Sequence, residues 1–121
     1  MRNMSFSLTA DAIRNRTKTV TRRLGWKNLK PGEKFRACVK CMGLKKGEKI
    51  EVLAVLECVS NRSEILREIK NHPIDCTLEG FPEKSCNDFI LMFCKHMGGN
   101  VDQTVNRIEF KYVEAADARQ P

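Results

Sequence analysis

The stretch from Ile50 to Val59 is the longest apolar-rich segment of the chain, and inside it Val52-Leu53-Ala54-Val55-Leu56 is uninterrupted. A run that short cannot span a bilayer, which takes ~20 apolar residues. It predicts a central strand covered on both faces, with the rest of the chain built around it. At 121 residues the chain is sized for one domain with one core.

The flanking segments change period in a readable order. Met4, Phe6 and Leu8 alternate with Ser5 and Ser7, as in a half-buried strand. Thr9 then fits a helix N-cap with Asp11 in the first turn, predicting a short helix from Ala10 to Asn15. Phe35, Ala37 and Val39 alternate with Arg36, Cys38 and Lys40, a strand with one wet, basic face. Ile65, Leu66 and Ile69 fall at helical spacing, predicting a helix over 61–71 that is capped by Ser63 and ended by His72-Pro73. Asp75 to Glu83 reads as an acidic loop around Gly80-Phe81-Pro82. In Ser85–His96, Phe89, Met92, Phe93 and His96 share one side of an amphipathic helix, with Asp88 three residues after a capping Ser85. His96 reads there as a packing residue. Val105 to Val113 closes the chain as a strand, and 114–121 is expected to be a disordered tail. About five or six strands and three helices without regular alternation predict an α+β fold with a mostly antiparallel, curled sheet.

The densest chemistry lies in Thr17-Lys18-Thr19-Val20-Thr21-Arg22-Arg23. Its β-branched residues suit an extended strand, with Thr19, Thr21 and Arg23 on one face and Val20 and Arg22 on the other. Lys18 falls in the bend before that strand. Such a row reads either as a solvated edge strand or as a grip for a phosphate, a carboxylate or a base edge. The net charge of +7 and pI near 9.3 favour an anionic partner, RNA or DNA being the commonest. Lys45 and Lys46, in a turn-rich loop, are candidate phosphate contacts or plain solubilising charges. Trp26 is either a stacking platform or a core residue.

Six cysteines without a secretory leader are expected to be reduced thiols in a cytoplasmic protein. Cys38-Val39-Lys40-Cys41 has the spacing of a zinc knuckle but no second C-x-x-C accompanies it. Buried free thiols are therefore expected, with no metal and no cofactor.

Taken together, Ser5-Phe6-Ser7-Leu8, Ile13, Lys18-Thr19-Val20-Thr21-Arg22-Arg23, Leu29-Lys30-Pro31-Gly32-Glu33 and Glu79-Gly80-Phe81 resemble an ASCH domain, a small β-barrel family of the PUA-like superfamily. The resemblance covers roughly Met4 to Val113 and implies one domain over 1–113, an open barrel in which Lys18–Arg23 faces the Asp75–Glu83 loop across a cleft. It implies handling of RNA or nucleotides. In the branch that hydrolyses N4-acetylcytidine, the matching positions would make Lys18 the base, Thr21 the nucleophile and Glu79 the acid. Thr19, Arg22, Arg23, Trp26, Lys45 and Lys46 are the candidates for holding substrate or nucleic acid. A non-catalytic RNA-binding module and an ASCH-type ribonuclease are the alternatives. The chain departs from the amidohydrolase branch in being longer, with added segments around 38–46 and 82–100.

Overall fold

A computed structural model describes residues 1–114. Met4 and Phe6 turn inward as their alternation predicts, giving strand β1 (Arg2–Ser5) followed by a 3-10 turn (Ser7–Thr9) and helix α1 (Ala10–Arg14). Thr9 precedes α1 but makes no side-chain cap; the 3-10 turn feeds the helix instead. Strand β2 (Val20–Arg23) is shorter than the β-branched stretch suggested. Strand β3 (Lys34–Cys38) and the long β4 (Val52–Ile65) follow, then a 3-10 segment (Leu66–Asn71). The chain ends its described part with α2 (Asp75–Leu78), α3 (Cys86–Met97) and β5 (Thr104–Tyr112). The Ser85 hydroxyl accepts from the Asp88 amide at 3.1 Å, the cap expected for α3.

The strands form one curled five-stranded sheet in the order β1-β3-β4-β5-β2, an α+β half-barrel. β1 pairs with β3 in parallel, and the other pairings are antiparallel. β4 is central, as its apolar run implied. Its cover differs from the expectation: Leu56 and Cys58 are buried, whereas Val52 and Val59 are 49% and 45% exposed. An open antiparallel sheet leaves one face to water, and this strand is no exception. A bulge between Ala37 and Cys38 turns Cys38 inward, so the exposed face expected for it is not seen.

The helix expected over 61–71 does not form. Ser63, Glu64 and Ile65 pair with Asn106, Val105 and Thr104 of β5, so β4 runs through the proposed cap. Beyond it the Leu66 and Arg67 amides donate to the Gln103 and Val101 carbonyls, and Leu66 and Ile69 bury their side chains from a 3-10 segment. Spacing of three residues suits that tighter helix as well as an α-helix.

Two apolar clusters result. One, with Met4, Phe6, Phe35, Leu56 and Phe110, joins residues of β1, β3, β4 and β5. The other, with Leu66, Ile69, Phe89, Ile90 and Phe93, lies between α3 and the 3-10 segment. Each fully buried side chain of this size contributes about 1.5–3 kcal/mol. Among the described residues no helix is long and apolar enough to cross a membrane. Of the expected tail, residues 115–121 lie outside the described part.

Candidate functional site

The site begins where α1 ends. Arg16 takes a positive φ of 61°, and the Thr17 and Lys18 amides donate back to the Ala12 carbonyl, so the chain reverses sharply before β2. The Thr19 amide then donates to the Leu78 carbonyl, the Thr19 carbonyl accepts from the Phe110 amide, and the Tyr112 hydroxyl donates to the Lys18 carbonyl at 2.7 Å. These bonds pin the backbone around Lys18, whose side chain is only 3% exposed. Lys18 lies in the bend, as expected.

Opposite it, α2 and the residue that caps its end bring Asp75 and Glu79 to one side, at the i,i+4 spacing that a helical turn creates. Neither belongs to an open acidic loop; both are buried. The turn closes with Gly80, whose φ of 97° an L side chain rarely adopts. An added Cβ there would meet the Ala12 Cβ at 3.1 Å and the Thr9 Cγ2 at 3.2 Å. Gly80 therefore lets α2 seat directly on α1, which brings Glu79 to Lys18.

The Lys18 ammonium donates to the Glu79 carbonyl oxygen and, at 3.0 Å, to Glu79 Oε1. The Phe6 and Phe81 rings flank it at 6.0 Å and 5.9 Å. Burial lowers the Lys18 pKa from its ordinary value; Glu79 works against that shift, and the Arg23 and Arg22 charges reinforce it. The neighbouring arginines thus add to a shift that desolvation dominates.

Arg22 points away from any solvent-facing role. Its guanidinium is fully buried and donates to Glu79 Oε2 at 3.0 Å and to Asp75 Oδ2, with Glu64 Oε2 at 3.4 Å. In the register of β2 and β5 it lies directly across from Arg107, a like-charge pairing that alone would be unfavourable. Asp75 resolves it by accepting from both: Arg107 Nε donates to Oδ2 at 2.8 Å and Nη2 to Oδ1 at 3.2 Å. Burial opposes the Asp75 charge, but the hydrogen bonds from Arg107 and Arg22 outweigh it and hold the carboxyl below its ordinary range. For Arg22 too, burial opposes the charge and the surrounding carboxylates prevail, raising its pKa. Arg22 Nε and Glu64 Oε1 remain without a hydrogen-bond partner among the described residues.

On the other face of β2, Arg23 Nε donates to Thr21 Oγ1 at 3.0 Å, and its guanidinium lies 4.6 Å from the Phe6 ring centroid. The two side chains share a face as the strand period predicts. Burial brings the Arg23 pKa down to about 10, so it stays charged at neutral pH.

Lys18, Thr21, Arg22, Arg23 and Glu79 all line one cleft of about 160 Å³. Phe81 and the α3 residues Phe89, Met92 and Phe93 form its apolar wall, and His96 stands exposed at its edge, not packed as its spacing suggested. The cleft therefore offers cations, a carboxylate and a hydroxyl on one side and aromatic surface on the other, a composition typical of small-molecule sites. Four of the expected contact residues are elsewhere. Trp26 is outside the cleft lining, packed against Phe35 at 6.4 Å with Arg2 over its ring at 4.8 Å; its positive φ of 57° is held by Asn61 Nδ2 donating to the Trp26 and Leu29 carbonyls. Thr19 contributes backbone bonds, and Lys45 and Lys46 are exposed in the loop between β3 and β4. The residues that sequence reasoning passed over are Asp75, Glu64 and Arg107. The i,i+4 spacing of Asp75 and Glu79 in a basic chain was the available signal for the first.

No family model matches the sequence, and no curated protein matches it. Two solved structures are similar. One is protein EF3133 from Enterococcus faecalis V583, of the family DUF984: TM-score 0.61, 10% identity, 93% of this chain and 79% of that one. The other is an ASCH domain from Lactobacillus crispatus JV V101: TM-score 0.54, 16% identity, 92% and 78% coverage. At these identities the likeness is one of fold, and the fold is ASCH-like α+β.

Proposed function

We propose that the cleft takes a modified nucleoside, free or within RNA, and that Lys18, Thr21 and Glu79 hydrolyse the amide of an N4-acyl cytidine there. The observation that carries this reading is a buried Lys18 with a lowered pKa, in the same cleft as the Thr21 hydroxyl and the Glu79 carboxylate. Neutral Lys18 would take the Thr21 proton as Oγ1 attacks the acyl carbon. Arg23, already bonded to Thr21 Oγ1, is suited to stabilise the oxyanion. Collapse would release the cytidine amine with a proton passed through Glu79, and water would then cleave the acyl-threonine ester. Phe81 and Phe89 supply flat apolar surface for a base. The exposed Lys45 and Lys46 suit phosphate contacts if the nucleoside lies within RNA, and the free thiols suit the cytoplasm.

A second reading, recognition without chemistry, is favoured by one observation. Both hydrogen bonds of the Lys18 ammonium among the described residues go to Glu79, and Thr21 Oγ1 is engaged by Arg23, so base and nucleophile are each occupied elsewhere. Incubating the protein with a panel of modified nucleosides, followed by chromatography and by titration calorimetry, separates the two. Release of cytidine from N4-acetylcytidine supports hydrolysis. Binding without release supports recognition alone, and neither result on any nucleoside removes both.

A further inference from the structure

Cys76 and Cys86 stand on α2, which leads directly into the cleft residue Glu79, and on α3, which forms the cleft's apolar wall. Cys76 is in α2, one residue after Asp75 and three before Glu79; Cys86 opens α3, which carries Phe89, Met92 and Phe93. Their sulfurs are 3.8 Å apart, and Cys86 Sγ also donates to the Ile69 carbonyl at 3.5 Å. The pair is asymmetric: Cys76 is 3% exposed, whereas Cys86 is half-buried and reachable. Burial, with the adjacent Cys86, pushes the Cys76 thiol up to about 11.

We propose that Cys76 and Cys86 are a reversible oxidation site, closed by a low-molecular-weight disulfide such as oxidised glutathione, and that the bridge clamps α2 against α3. Cys86, losing its proton to solvent, attacks one sulfur of the incoming disulfide; the S–S bond breaks and one glutathione leaves as a thiol. Cys76 then gives up its proton and attacks the Cys86 sulfur of the mixed disulfide, expelling the second glutathione. Two protein thiols are oxidised, one glutathione disulfide is reduced to two thiols, and no other reactant is needed. The reachable thiol enters and the buried one resolves, the order their exposure dictates. With the bridge closed, Glu79 and the aromatic wall of α3 are held on one covalent frame. The device acts on the cleft whether its occupant is hydrolysed or only bound.

The test equilibrates the full chain across a series of oxidised-to-reduced glutathione ratios, blocks remaining thiols, and digests with trypsin. The expected product links peptide 71–84 to peptide 85–95, with two of the six free thiols lost and a mass decrease of about 2 Da. It persists in Cys94→Ser, which removes the second thiol of peptide 85–95, and is absent in Cys86→Ser. Amide exchange over 75–93 should slow and the melting midpoint should rise in the oxidised wild type but not in Cys86→Ser. Pairing through Cys94, pairing confined to Cys38 and Cys41, or no linkage at the most oxidising ratio overturns the site. Linkage with unchanged amide exchange overturns the clamp.

Discussion

Lys18 and Glu79 are 61 residues apart in the chain and 3.0 Å apart in space, and Glu79 is at the same time the acceptor for Arg22. Two buried cations therefore share one carboxylate, and while Arg22 also has Asp75 and Glu64, Glu79 is the carboxylate that Lys18 pairs with. Removing it should cost more than removing either partner. Glu79→Ala is expected to lose about 3–5 kcal/mol of stability, the range for an uncompensated buried charge. Lys18→Met should cost less, because Arg22 still occupies Glu79. Urea unfolding of the three proteins measures the order, and a Glu79→Ala loss no larger than that of Lys18→Met would contradict it.

Thr21→Ala separates chemistry from architecture. It removes a hydroxyl whose partner, Arg23, keeps its contact with the Phe6 ring. The loss of one side-chain hydrogen bond should cost about 0.5–1.5 kcal/mol of stability. If the cleft hydrolyses N4-acyl cytidine, turnover should vanish while nucleoside affinity changes little. Single-turnover assays beside calorimetry check both, and retained turnover excludes Thr21 as nucleophile.

The pH response has a definite sign at each end. The Asp75 carboxyl is depressed in the fold, so its stabilisation is fully present above its unfolded value of ~3.9 and is lost as pH falls through the lower folded value. Lys18 is a base with a lowered folded pKa: between that value and the unfolded ~10.4 the unfolded chain binds the extra proton, so its contribution rises with pH. Denaturation midpoints in acid should fall less steeply for Asp75→Asn than for the wild type, and those in alkali should rise less for Lys18→Met. Parallel curves for variant and wild type at either end would refute the corresponding assignment.

Binding to RNA is best probed outside the cleft. Reversing Arg22 to Glu would set a fourth carboxylate among Glu64, Asp75 and Glu79, so it reports on folding and not on a phosphate contact. Lys45→Glu with Lys46→Glu leaves the core untouched. If both lysines contact phosphates of single-stranded RNA, log K should fall with log salt at a slope near −0.7 per contact, and the double variant should flatten it by about 1.4. An unchanged slope would leave the loop without that role.

Gly80→Ala tests how the site is seated. A φ of 97° and contacts of 3.1 and 3.2 Å to α1 and the turn before it mean that either the backbone or Thr9 must move. A cost of about 1–3 kcal/mol is expected, with weaker ligand binding because Glu79 is the preceding residue. Calorimetric melting checks the first, and an unchanged midpoint would show that the helix junction tolerates a side chain.

Elements with a clean period were legible in the sequence. α3 and β5 came out within one or two residues of the periodicity, and Ser85 capped as its spacing required. The 61–71 segment was not legible, since the register of β4 against β5 decides it and lies 40 residues away. Parallel pairing of β1 with β3 has no local signature at all. In the site, Lys18, Thr21 and Glu79 line one cleft. What eluded a reading of residue types was which arginine is fully buried in a charge network and which stays half-buried. Strand parity put Arg22 and Arg23 on opposite faces, but only the position of α2 turns one of those faces into a charge network.

Among the described residues, β2 is an edge strand whose sole neighbour in the sheet is β5. During synthesis, residues 18–23 leave the ribosome before residues 104–112, so β2 has no strand to pair with until β5 has followed it. A chain that has not yet reached Thr104 carries Lys18, Arg22 and Arg23 on a segment without its strand partner. β5 thus completes the site that β2 begins, and the order in which the two can assemble is written into the order of the sheet.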